Sequence, residues 1–248
     1  MPAQAISPSE ENISQGMPRI VWRVFSVFGI LAILSLALYL FGSFYGERMS
    51  HAGHSTDETV LSVFIGNDGF EIPANMIRHA DQRNSGSTSR LDIYLHWPTQ
   101  SGYSVELAPA FREADPKKIE LVMAGLTKRR SFLDMADRFQ PVYLDAIDQS
   151  KIKKLKNGLY VAPLLAEYGY VNEKLVYSLA AGADRPEFIA RCQASTGDGP
   201  ALLLPCETDI FIGNNTEAKF RFATSKLVEW QRFSKEISAF ADRISVGK

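Results

Sequence analysis

The sequence is short of most of what marks a familiar chemistry. Cysteine occurs twice and histidine four times in 248 residues. There is no C-x-x-C pair and no four-ligand zinc spacing, which excludes a thioredoxin-type redox motif and a zinc ribbon. The strings G-x-S-x-G, H-E-x-x-H, G-x-G-x-x-G, the Walker loop and the EF-hand loop are absent. The catalysis, phosphate cradling or ion binding that each string positions therefore has no foothold, and no cofactor is implied. Neither sign of charge is in excess: 27 Lys and Arg stand against 28 Asp and Glu, a net charge of -1. That balance speaks against a nucleic-acid partner, which usually calls for a basic surplus. With 46% apolar and 22% charged residues, whole-chain disorder is excluded as well.

What the chain does have is one long apolar run. From Val24 to Gly46 there are 23 consecutive residues without a charge. At 1.5 Å per residue such a run spans about 35 Å, slightly more than a bilayer's hydrocarbon core of about 30 Å. It is apolar on every face, as a lipid-exposed helix must be. Trp22 and Tyr45 suit the two interfaces, and Arg23 can snorkel to the headgroups. The competing reading is a cleaved signal peptide with small residues at Ser50-His51-Ala52. Signal cores run only about 7–15 residues, however, so an uncleaved transmembrane helix over 19–46 is expected. Arg19 and Arg23 precede the span and Arg48 follows it, which puts the amino terminus in the cytoplasm. The expected location is the cell inner membrane, with the carboxyl-terminal domain in the periplasm.

The two cysteines agree with that compartment. Cys192 and Cys206, thirteen residues apart in the loop between them, read as one disulfide. Closing so short a loop stabilises a fold by roughly 3 kcal/mol on the chain-entropy model. A pair of buried free thiols is the alternative.

Four segments follow. Residues 1–18 form a disordered tail, 19–46 the transmembrane helix, 47–58 a polar tether, and 59–248 one extracytoplasmic domain. Strands are expected at 59–65 and 70–72 around an Asn67-Asp68-Gly69 turn. Strict alternation from Leu91 to Trp97 marks a half-buried strand. Residues 119–126 read as another strand, and Ser131 as the cap of a helix over 132–137. From Gly158 onward, strands at 159–165, 174–180, 188–193, 202–212 and 218–223 alternate with Gly- and Asn-containing turns, one of them Thr196–Pro200. That is an antiparallel meander. Leu227, Trp230, Phe233, Ile237, Phe240 and Ile244 form the stripe of an amphipathic carboxyl-terminal helix. The fold class is α+β, a mainly antiparallel sheet with that helix packed on it.

Candidate functional residues are few. Ser150 and Lys153 stand in an S-x-x-K string, but K-T-G and S-D-N partners are missing, and a solvated turn is expected. His51 and His54 share a turn's spacing inside the tether, where no rigid shell would hold a metal. His79 and His96 are isolated. Asn214-Asn215-Thr216 matches a glycosylation sequon. The segment 117–156 holds ten cationic residues against five acidic ones. Within it Lys128, Arg129, Arg130, Lys151, Lys153, Lys154 and Lys156 are candidates for contact with an anionic lipid or polymer. Trp97 and Tyr103, flanking Pro98 and Gly102, are candidates for a ligand platform, with a core position as the alternative. The functional expectation is a non-enzymatic, membrane-anchored binding or envelope-assembly protein, with the bilayer and an envelope protein as partners. A tethered periplasmic hydrolase or glycan-modifying enzyme is the runner-up, its acidic pair hidden by distance in sequence. A type II secretory-pathway protein is the third reading.

Overall fold

A computed structural model describes residues 19–50, 53–194 and 202–246. The tail of residues 1–18, His51, the Thr196–Pro200 turn and the side chains of Tyr45 and Arg48 lie outside the described residues. The chain divides into two units, Met1–Ser50 and His51–Lys248.

In the first unit, α1 (Arg19–Ser50) is one continuous helix. It passes the expected end at residue 46, because Glu47, Arg48 and Met49 are strong helix formers that continue the hydrogen-bond ladder. Its apolar stretch Arg19–Gly42, 24 residues, is long and apolar enough to cross a membrane. A signal sequence has the same form.

The second unit carries two sheets. In chain order the strands are β1 (Val60–Ile65), β2 (Asp68–Pro73), β3 (Gly86–Ser87), β4 (Arg90–His96), β5 (Leu121–Lys128), β6 (Lys153–Lys154), β7 (Tyr160–Pro163), β8 (Glu173–Ser178), β9 (Phe188–Gln193), β10 (Cys206–Ile212), β11 (Thr216–Phe222) and β12 (Ser245–Val246). Two short helical pieces, α2 (Ala108–Phe111) and α3 (Leu144–Ala146), precede the long α4 (Trp230–Ile244). The small sheet has the order β12-β2-β1-β3, and the large one β4-β5-β11-β10-β9-β8-β7-β6. The pairing is antiparallel except between β1 and β3. Strands β7 to β11 form the expected meander, and β11 then pairs with β5.

One hydrophobic cluster joins both sheets and α4. It takes Val63, Ile65, Phe70 and Ile72 from the small sheet, alternate residues of the large sheet, and Trp230, Phe233, Ile237, Phe240 and Ile244 from α4. The stripe read from the sequence is thus the packed face of the helix. Cys192 and Cys206 face each other on β9 and β10, joined by a disulfide within this cluster. The small sheet is tied to the β10–β11 turn by Asp68, whose carboxylate accepts from the Asn214 and Asn215 N–H groups and from the Thr216 hydroxyl. A Cβ on Gly213 would lie 2.6 Å from that carboxylate, and its φ of +59° favours glycine as well. The sequon's threonine is therefore buried and committed to Asp68.

Three local expectations differ from the structure. The first hairpin turns at Gly66-Asn67, where Gly66 supplies the positive φ that a two-residue hairpin loop demands. Residues 132–137 form bends and a turn in place of the expected helix, and a π-helical turn over Phe139–Tyr143 leads into α3. Tertiary bonds take the groups a helix would use: Met135 N–H donates to Asp209, and Asp134 receives Arg185. Finally, His54 is not a solvated linker residue. Its ring stacks on Tyr103 at 4.7 Å and its Nδ1 lies 2.8 Å from the Tyr94 hydroxyl, so this part of the tether is docked on the domain.

Candidate functional site

Side chains alternate between the two faces of a strand. On β4, Leu91, Ile93 and Leu95 enter the core cluster, while Arg90 and Asp92 point the other way. On β5 the outward set is Met123, Gly125 and Thr127; on β11 it is Glu217, Lys219 and Arg221. Glu207 on β10 and Arg191 on β9 complete the surface. The register sets Asp92, Gly125 and Lys219 in one row across β4, β5 and β11, and Met123, Arg221, Glu207 and Arg191 in the next.

The result is a trough of about 520 Å³ on the open face of the large sheet, with Arg78 and Arg130 at its walls. Six cationic side chains line it against three carboxylates. Gly125 keeps its floor low: a Cβ there would come within 3.3 Å of Arg90 Nη2 and 3.5 Å of Asp92 Oδ1. Glycine inside a strand commonly marks such a close approach.

The carboxylates position the guanidinium groups. Asp92 holds Arg90 through two donors, Nη2 to Oδ1 at 2.6 Å and Nε to Oδ2 at 2.8 Å. The bond to Arg90 is the main reason that the Asp92 carboxyl lies below the ordinary carboxylate range. Arg191 is more deeply set: Glu173 accepts from its Nε at 2.8 Å, and Glu207 accepts from its Nη2. Burial works against its charge, but Glu207 and Glu173 outweigh burial and bind the proton more tightly than usual. Arg221 reaches Glu207 only at 3.6 Å and is exposed. Arg78, Arg130 and Lys219 have no carboxylate within 4 Å among the described residues. The trough thus combines fixed, partly buried ion pairs with exposed cations.

The sequence-predicted residues fall in several places. Of the cationic candidates, Arg130 lines the trough. Arg129 lies over the Phe211 ring at 4.4 Å, and Lys128 is the exposed end of β5. Lys151 bridges to Asp148, and together with Lys153 it lines a separate, more apolar concavity beside β6 and β7. Lys154 sits over the Tyr160 ring, and Lys156 is exposed. These residues do not make one patch, because β5 and β6 stand near opposite ends of the large sheet's order. Nor do Trp97 and Tyr103 form a platform: both are buried. The Trp97 indole donates to Glu229 and its ring meets Phe233, while Tyr103 is stacked under His54. An exposed ring face, which a ligand platform needs, is missing from both.

Acid pairs of the kind a hydrolase needs are also traceable. Asp134 and Asp209 line one cavity of about 270 Å³. Each is held by an arginine, Arg185 and Arg138 respectively. Burial raises the Asp209 carboxyl above its ordinary range, and Arg138 with the Met135 N–H offsets only part of that rise. His96 contacts Glu120 at 3.2 Å and Thr99 at 2.8 Å, outside the trough. Sequence reasoning missed the trough itself. Its signal was the alternation of charge on β4 and β11, but nothing local tells that these strands flank β5.

No family model matches the chain, and no curated protein matches it. Solved structures do resemble it. One is an immunity protein of the Stenotrophomonas maltophilia type IV secretion system, with a TM-score of 0.50 and 13% identity, covering 79% of this chain and 96% of that one. Another is the iron-regulated outer membrane lipoprotein FrpD of Neisseria meningitidis, with a TM-score of 0.41, 11% identity and coverage of 76% and 95%. At such identities the likeness is one of fold.

Proposed function

We propose that this is a single-pass membrane protein whose carboxyl-terminal domain lies outside the cytoplasm and acts by binding, without catalysis, in the cell envelope. The observation that carries the reading is the trough: exposed cationic side chains gathered over a low floor, with Arg90 and Arg191 fixed in place by half-buried carboxylates. That is a recognition surface, since preset donors lose little freedom when a partner arrives. The acids that a hydrolase would use are committed to arginines instead. The apolar α1 and the buried disulfide suit an anchored domain in an oxidising compartment. The likeness in fold to an immunity protein of a secretion system is consistent with a binding role.

Two measurements test this. A phosphatase fused after Lys248 should be active and a fluorescent cytoplasmic reporter at the same point dark; the reverse pattern overturns the topology. A photo-crosslinking residue at Thr127, in the trough, should give a discrete adduct in living cells, whereas one at Phe132, exposed elsewhere, should not. Failure of every trough position to give an adduct overturns the binding role.

A further inference from the structure

We infer that the trough accepts an acidic segment of a partner protein, with carboxylates seated between Arg90 on one wall and Arg221 and Lys219 on the other. The inference rests on the binding role proposed above and names the chemistry of the partner. Three features carry it.

The first is the surplus and kind of cation. Arg90 and Arg221 are both more than half exposed, and Lys219, Arg78 and Arg130 are exposed too. A guanidinium presents a planar fork that matches a carboxylate with two parallel hydrogen bonds. Asp92 occupies only one edge of the Arg90 fork, through Nε and Nη2, and thereby fixes its direction.

The second is spacing. Arg90 on β4 and Lys219 and Arg221 on β11 are separated by the single strand β5. Two strand intervals are about 10 Å, which is the rise of about three residues of extended chain. Between them Gly125 lets the Arg90–Asp92 pair lie low against the strand, so that the guanidinium stays beside the floor and faces the cations of β11 across it.

The third feature decides between an acidic protein and a polyanion. Asp92, Glu207 and Glu217 interrupt the cations along the trough. A phosphate polymer or a headgroup surface presents negative charge throughout and would meet those carboxylates at every turn. A protein segment places its acids singly, with neutral or basic residues between them, and can answer a surface of mixed sign.

The test uses the full chain in neutral detergent and a labelled peptide with glutamate at every third position and serine between, with an all-serine peptide as control. Saturable binding of the acidic peptide alone is expected. The double variant Arg90→Gln, Arg221→Gln should weaken it at least tenfold. Gly125→Leu, which leaves charge unchanged but pushes the Arg90–Asp92 pair out of place, should weaken it as well; if that variant fails to fold, Arg221→Glu replaces it. Neutralising Lys151, Lys153, Lys154 and Lys156 to glutamine should change the affinity less than twofold. Affinity should also fall as salt rises, since the Debye length shrinks from about 10 Å at 0.1 M to about 3 Å at 1 M. Peptide affinity untouched by the trough variants overturns the inference. So does tighter binding of polyphosphate or of phosphatidylglycerol vesicles than of the acidic peptide. In either case a crosslinked adduct at Thr127 would leave the general binding role standing.

Discussion

The two faces of the large sheet are built by alternate residues of the same strands, yet they do opposite things. On β11, Ala218, Phe220 and Phe222 enter the core while Glu217, Lys219 and Arg221 line the trough. On β5, Val122, Ala124 and Leu126 are buried against the core while Met123, Gly125 and Thr127 form the trough's floor. The covered face holds the apolar area that drives folding. The opposite face is itself covered beyond the trough, by one cluster that takes Leu175, Tyr177 and Ile189 and another that takes Tyr94 and Leu121. Its open part holds charge, which stabilises a fold little when it is exposed. Separating the two within one sheet lets the open part carry charge at small cost to the fold, as the proposed binding role requires. The ion pairs of Arg191 stand between these extremes, since they are partly buried and fix the trough's far wall.

The comparison breaks most readily on the covered side. Trp230 is buried in the core cluster and its indole N–H donates to the Asn157 carbonyl at 3.0 Å. Truncating a buried aromatic usually costs about 3–5 kcal/mol. Trp230→Ala should therefore lower the melting temperature by about 10 °C or more for a domain of this size. Thermal denaturation followed by circular dichroism measures it. An unchanged melting temperature would mean that the stripe of α4 contributes nothing to the core.

Much of this covered face was legible in the sequence, because burial leaves a periodic trace. The alternation from Leu91 to Trp97, the 188–193 strand and the stripe from Leu227 to Ile244 each follow from spacing alone. Where tertiary bonds replace local ones, the trace fails. Asp209 and Arg185 hold residues 132–137 out of a helix, and both lie more than forty residues away in sequence. His54 looked like linker because its three aromatic neighbours, Tyr94, Tyr103 and Phe111, come from other segments. The trough was hidden for the same reason. A run of cations in sequence, as at 151–156, is easily noticed, but a cationic surface made from one residue per strand needs the strand order. Trp97 illustrates the converse error: a rigid aromatic next to Pro98 suggests a platform, until Glu229 and Phe233 from the last quarter of the chain close over it.

A smaller effect should come from the link between the sheets. Asp68 is buried, which favours its neutral form, but the N–H groups of Asn214 and Asn215, the Thr216 hydroxyl and the charge of Arg129 outweigh burial and hold its carboxyl below the ordinary range. A carboxyl depressed on folding adds stability above its unfolded pKa of about 3.9, and that stability is lost as pH falls through the folded value. Asp68→Asn keeps the shape but gives up the charge, and one of its two oxygens becomes a donor facing N–H groups. Hydrogen bonds to a charged group are worth about 1.5–3 kcal/mol, so a loss of that order is expected at pH 7. The difference between variant and native protein should shrink as pH falls below about 3.9, where the unfolded chain begins to take up the proton, and close once the native carboxyl, held lower, protonates as well. Urea denaturation at pH 7 and pH 3 measures both. An equal difference at the two values would show that the charge of Asp68 is not what ties the sheets together.

The smallest effect sharpens the comparison from the open side. Lys219 and Arg130 line the trough and have no carboxylate within 4 Å among the described residues. Lys219 shares its strand with Ala218 and Phe220, so the three differ in face and hardly at all in backbone setting. Removing an exposed, unbridged cation usually changes stability by less than about 0.5 kcal/mol. Lys219→Ala with Arg130→Ala should accordingly move the melting temperature by no more than about 2 °C, in either direction. Relief of repulsion among the six cations favours a small rise, and lost packing of the lysine stem favours a small fall. High salt screens the repulsion, so any rise should disappear at 1 M. A fall comparable with that of Trp230→Ala would place these two residues among the supports of the fold. It would also remove the reason for reading the open face as a surface kept for another molecule, because that reading depends on charges the fold itself does not need.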